Sequence, residues 1–89
     1  MAEQPTVLVI DDEDSIQKLL KHALEREGYR VVAAGDAAGG LDAFERDDPD
    51  VVLLDVMLPD VSGREVCRRL RAVSNVPIIM LTALDDEVD

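Results

Sequence analysis

Four short apolar runs, TVLVI (6–10), YRVVAA (29–34), VVLLDV (51–56) and PIIML (77–81), alternate along the chain with segments of helical spacing. This rhythm constrains the fold more than any other feature. The runs are rich in β-branched residues and do not alternate cleanly between apolar and polar, so they read as strands covered on both faces of a parallel sheet. Between the first two, Ile16, Leu19, Leu20, Ala23 and Leu24 recur at i, i+3, i+4, i+7 and i+8, the stripe of an amphipathic helix. Asp14 with Gln17 fits its start, and Gly28 fits its stop. A second helix spans about 37–46 with Asp36 as N-cap, and Asp47, Asp48 and Pro49 end it. Gly39 and Gly40 inside it are each unfavourable by roughly 1 kcal/mol relative to Ala. Ser62 and Glu65 form a capping box for a third helix, whose stripe is Val66, Leu70 and Val73. The order β-α-β-α-β-α-β implies one α/β domain over residues 1–89, with right-handed crossovers.

Ligands of such sheets sit at the carboxyl ends of the strands. The reading puts Asp11 and Asp12 at the end of the first strand, Asp55 at the end of the third and Thr82 at the end of the fourth. Asp55 interrupts an apolar run, and a carboxylate taken out of water without a partner is costly. Three carboxylates on one rim repel one another unless a cation intervenes, and hard oxygen ligands suit Mg²⁺. A carboxylate is also a nucleophile toward phosphorus, and a metal that neutralises both partners makes that attack feasible. Each ingredient alone has an ordinary reading: the aspartate doublet as a loop or helix entry, Asp55 as a strand-end cap, Thr82 as a turn residue. The order and spacing together carry the argument.

Composition narrows the classes. The 89 residues hold 20 acids against 9 bases, a formal net charge of −11, which argues against direct binding to nucleic acid or an anionic membrane surface. It is compatible with a cation or a basic protein partner. The single cysteine, Cys67, excludes an internal disulfide. There is no secretory signal pattern and no apolar run of membrane-spanning length, so a cytoplasmic soluble domain is expected.

The stretches VLVIDDE, VVLLDVMLPDVSG and PIIMLTA resemble the three signature stretches of the response-regulator receiver domain, the phosphoryl-accepting module of two-component signalling. The resemblance implies a flavodoxin-like, doubly wound fold with strand order 2-1-3-4, here lacking the last α-β-α elements. It implies that Asp55 is the phosphoacceptor and that Asp11, Asp12 and Asp55 hold Mg²⁺ together with the backbone carbonyl of Met57. Thr82 resembles the switch hydroxyl, and Ala83 the small residue that leaves room for the phosphoryl group. Pro59 and Gly63 match the turn after the acceptor strand. The implied partner is a sensor histidine kinase, and slow self-dephosphorylation apart, the module is not an enzyme.

The family lysine of the fifth strand has no counterpart here, since Lys18 and Lys21 lie on the first helix. A deliberate fragment, a naturally truncated product and the ordered part of a longer regulator are the three readings of this; a fragment of a longer receiver is favoured, with a DNA-binding output domain following by family habit. PIIML would then be an open edge strand, which invites self-association or domain swapping. The alternative function is a non-phosphorylating interaction module that uses this edge. An aspartyl-phosphate phosphatase is disfavoured because its general-acid position, two residues after the nucleophile, is Met57. A calcium loop from Asp11 would need Gly at Ile16 and Glu at His22. His22 reads as a surface residue and Cys67 as a core or semi-buried one. Tyr29 reads as a packing residue. Arg64, Arg68 and Arg71 read as a solvated helix face, and Asp85 to Asp89 as a solvated tail.

Overall fold

The computed structural model describes residues 4–81. The expected site residues Thr82 and Ala83, and the acidic stretch 85–89, lie outside them. The elements are β1 (Thr6–Ile10), α1 (Asp14–Arg26), β2 (Arg30–Ala34), α2 (Ala37–Asp47), β3 (Val51–Asp55), α3 (Gly63–Val73) and β4 (Ile78–Leu81). All strand pairs are parallel, in the order β2-β1-β3-β4. The alternation read from the sequence is thus the element order, and the strand order is the expected one.

Helices flank both faces of the sheet, but unequally. Leu8, Ile10, Val52 and Leu54 point to the face covered by α2 and α3, where Ala37, Ala43, Val66 and Leu70 complete a core that excludes water. Val7, Val9 and Val31 point to the other face, where Leu20 and Leu24 of α1 pack with Val51 and Leu53. Among the described residues, only β1 is buried on both faces along its whole length. The expectation of full cover for β3 needs correction: Val52 and Leu54 are buried, while Val51 and Leu53 are only half-buried. The reason is that α1 leans on β1 and β2, away from β3. The expected α1 stripe is likewise only partly used. No α1 residue is fully buried, and Leu19 is 63% exposed.

Local signals set most helix ends. Asp36 caps α2, its side chain accepting from the Gly39 N–H at 2.7 Å. Gly28 takes φ +96° after α1, where a side chain would be strained. Gly40, unfavourable for helix propensity, has a packing reason: a Cβ there would lie 2.5 Å from Ile10 Cδ1. A larger residue would force the buried Ile10 side chain to shift or α2 to back away from β1.

Two expected capping arrangements form differently. Residue Glu13, not Asp14, is the N-cap of α1, and Gln17 turns its side chain away to the strand ends. Ser62 caps α3 by accepting from Arg64 N–H, but Glu65 pairs with Arg68 and Arg69 rather than reaching back. Val73, the last residue of α3, is 75% exposed and does not belong to the buried stripe. His22 is exposed; Tyr29 and Cys67 are half-buried against the two cores.

Candidate functional site

The site follows from strand register. Strands β1 and β3 pair with Ile10 opposite Leu54. The next residue on each is an aspartate, so Asp11 and Asp55 leave the sheet side by side. Asp12 follows in the turn toward α1. Carboxylate oxygens of Asp11, Asp12 and Asp55 lie within 4.8 Å of one another. Asp11 is buried at 4% exposure, Asp55 is half-buried and Asp12 exposed, so the cluster opens to solvent on one side.

Backbone hydrogen bonds orient these groups. Asp11 Oδ1 accepts from the Glu13 N–H at 2.9 Å, which folds the chain into α1. Asp55 Oδ1 accepts from the Met57 N–H at 3.1 Å. Burial pushes the carboxyls of both Asp11 and Asp55 above the ordinary carboxylate range. The hydrogen bonds from Glu13 and Met57 oppose the shift, and neighbouring acids reinforce it. No salt bridge among the described residues reaches any of the three. Two unit charges 4 Å apart near a protein surface interact by roughly 4 kcal/mol, so the cluster carries unneutralised repulsion. Oxygen-only donors in this number, without a cationic partner, are what a hard divalent cation requires.

The turn after Asp55 packs tightly. The Gly63 N–H donates to the Val56 carbonyl at 2.8 Å. A Cβ on Gly63 would collide with the Asp55 carbonyl oxygen and lie 2.9 Å from Val56 Cα. Glycine at the first position of α3 thus lets the helix start directly against the end of β3. The Pro59 and Met57 side chains are exposed, Met57 by 65%, and it is the backbone N–H of residue 57 that bonds the Asp55 carboxylate. Residue Asp55 also pairs with Leu81 across β3 and β4.

Two residues near this edge make contacts that the sequence does not reveal. Gln17 Nε2 donates to the Asp11 carbonyl at 2.5 Å and to the Ala34 carbonyl at 3.0 Å, tying the ends of β1 and β2 to the first turn of α1. Asp60 accepts from the N–H groups of Ala37 and Ala38 at the start of α2. Gln17 resembled half of a cap, and Asp60 an ordinary turn residue after Pro59. Neither has a local signal for a partner so far along the chain.

The family model for the response regulator receiver domain matches residues 7–89. Over 89 residues the chain is 48% identical to the transcriptional regulatory protein CseB of Streptomyces coelicolor, covering 100% of this chain and 38% of that protein. It is 48% identical over 84 residues to the sensory transduction protein RegX3 of Mycolicibacterium smegmatis, covering 94% of this chain and 37% of that protein. The chain therefore spans well under half the length of these curated relatives. Among solved structures, the response regulator TrrA of Thermotoga maritima, in complex with Mg²⁺ and BeF, superposes with a TM-score of 0.87 at 36% identity, covering 96% of this chain and 75% of that one. The BeF3-activated receiver domain of RstA from Klebsiella pneumoniae gives 0.86 at 32%, covering 90% and 68%.

Proposed function

The chain belongs to the response regulator receiver domain family, and on that premise we propose that Asp55 accepts a phosphoryl group from a sensor histidine kinase. The observation that carries this reading is the register that sets Asp55 beside Asp11, with Asp12 completing a cluster of carboxylates within 4.8 Å. Asp55 is the nucleophile: one of its oxygens forms the new bond to phosphorus as the bond from phosphorus to the donor nitrogen breaks. The electron pair leaves with the donor imidazole. The Met57 N–H holds Asp55 Oδ1 and so fixes the rotation of the carboxylate before attack.

Asp11, Asp12, Asp55 and the backbone carbonyl of Met57 would hold Mg²⁺. When bound, the ion supplies positive charge against the carboxylates and the incoming phosphoryl oxygens. The raised carboxyls of Asp11 and Asp55 fit this assignment, because a cation relieves the penalty that burial imposes on their charged forms. Thr82, next in sequence after the Leu81 that pairs with Asp55, is read as the hydroxyl donor to the phosphoryl group. Ala83 is read as the small residue that leaves space for it, and Pro59 and Gly63 as the turn that aims the acceptor. The module is a substrate of transfer rather than an enzyme. A DNA-binding output domain in the intact protein is the corresponding inference for its readout, by analogy with the transcriptional regulatory protein it resembles. No helix among the described residues is long and apolar enough to cross a membrane.

Incubation with acetyl phosphate and Mg²⁺ tests the reading. Intact-mass spectrometry should show one added phosphoryl group, absent in Asp55→Asn and absent when Mg²⁺ is chelated. No transfer to a sample that is folded by NMR would overturn it.

Self-association through β4 is a second inference about partners. It is supported by the unpaired outer edge of β4 among the described residues and by Ile79, which is 54% exposed. Sedimentation that stays monomeric across a wide concentration range would remove it.

A further inference from the structure

The first four N–H groups of a helix have no partner within it. In α2 two different aspartates take those of residues 37–39. Asp36, the N-cap, accepts from Gly39 through its side chain at 2.7 Å, while its carbonyl takes the first helical bond, from Gly40 at 3.0 Å. Ala37 and Ala38 donate instead to Asp60, Ala37 to Oδ1 at 2.9 Å and Ala38 to Oδ2 at 3.0 Å. These partners lie 23 and 22 residues away in sequence. Asp60 Oδ1 also accepts from the Val61 N–H at 2.9 Å. The backbone donors hold the Asp60 carboxyl below the ordinary range, Ala37 contributing most.

Asp60 lies in the loop between Asp55 and α3. At its near end this loop is pinned to the site, through the Met57 N–H on Asp55 Oδ1 and the Gly63 N–H on the Val56 carbonyl. Only Leu58 and Pro59 separate Met57 from Asp60. Leu58 packs against the larger core, and Pro59 has its φ fixed by its ring. Little slack therefore exists between the two pins.

We propose that Asp60 is a positioning residue for the cation site: by bridging to the N-terminus of α2 it fixes the loop, and with it the Met57 backbone that faces Asp55. The proposal rests on the reading of Asp55 and Met57 given above. Helix α2 supplies its own control. Asp36 caps the same helix end but makes no hydrogen bond to the loop, so Asp36→Ala weakens the helix without releasing Met57.

Mg²⁺ binding is to be measured by calorimetry, and backbone amide shifts by NMR without metal, for the wild type, Asp60→Ala, Asp60→Asn and Asp36→Ala. Asp60→Ala should weaken Mg²⁺ binding on the order of tenfold, as loss of a group supporting a ligand does, and should shift the Met57 amide. Asp60→Asn keeps one acceptor oxygen and should fall between. Asp36→Ala should lower the melting temperature while leaving both readouts close to wild type. Mg²⁺ affinity in both Asp60 variants within about twofold of wild type, far short of that loss, overturns the proposal. So does an equal weakening in Asp36→Ala. A folded wild type that binds no Mg²⁺ would defeat the cation-site reading itself. In that event an unmoved Met57 amide in Asp60→Ala also overturns the coupling, and a moved one upholds it.

Discussion

Leu53 and Leu54 are neighbours on β3, yet they occupy two different environments. Leu54 is at 0% exposure, enclosed by the core that α2 and α3 lay over the sheet. Leu53 faces the side where α1 alone packs among the described residues, and it is half-buried. The first face has two helices that interlock with the strands, down to a glycine that lets α2 approach Ile10. The second has one helix, with no buried residue of its own, leaning on β1 and β2. An apolar strand thus reports that it belongs in a sheet, while cover on each face depends on where the helices lie. At the carboxyl edge, both helices of the first face start beside the loop that follows Asp55, while α1 reaches the ends of β1 and β2 through Gln17.

The largest test of this contrast is truncation of the paired leucines. Leu54→Ala should cost about 2–5 kcal/mol of stability as a buried cavity forms, and Leu53→Ala about 1 kcal/mol because its side chain is only half removed from water. Equal losses in denaturant melts would break the comparison. Gly40→Ala should cost about 1–3 kcal/mol by overpacking against Ile10, despite the better helix propensity of alanine. A stabilised variant would show that α2 can back away from β1.

A subtler test uses pH. Asp11 and Asp55 are held above the ordinary carboxylate range, chiefly by burial. Each binds its proton more tightly folded than unfolded, so metal-free stability should rise as pH falls through their folded pKa values toward the ordinary one. Mg²⁺ affinity should decline over the same window as protons compete for the same oxygens. Asp60 and Glu65 run the opposite way. Asp60 is held low by backbone N–H groups, and Glu65 by Arg69 and Arg68. Their contribution is present above the ordinary carboxylate pKa and is lost at more acid pH, as their folded values are passed. Thermal melts should therefore show stability rising and then falling on acidification. A steady decline from neutrality would refute the raised pair. The smallest effect belongs to the open face: Leu19→Lys, at a position 63% exposed, should change stability by no more than about 0.5 kcal/mol.

The sequence by itself determined the order of elements, the acids at the strand ends and the glycine and aspartate caps at Gly28 and Asp36. Those are short-range properties, written in periodicity and in residues whose backbone preferences act locally. It also marked Asp55 as an anomaly, because a charge inside an apolar run is visible without coordinates. Tertiary structure decided what brings the anomaly into use. The β1–β3 register sets Asp11 beside Asp55, and a shift of one residue would separate them. Gln17 and Asp60 gained their partners only when strand ends and helix starts converged, which is why each looked like an ordinary cap or turn residue. Uneven cover of the sheet was equally hidden. Apolar spacing says which side of a helix seeks burial, but the docking of that helix depends on contacts between residues far apart in the chain.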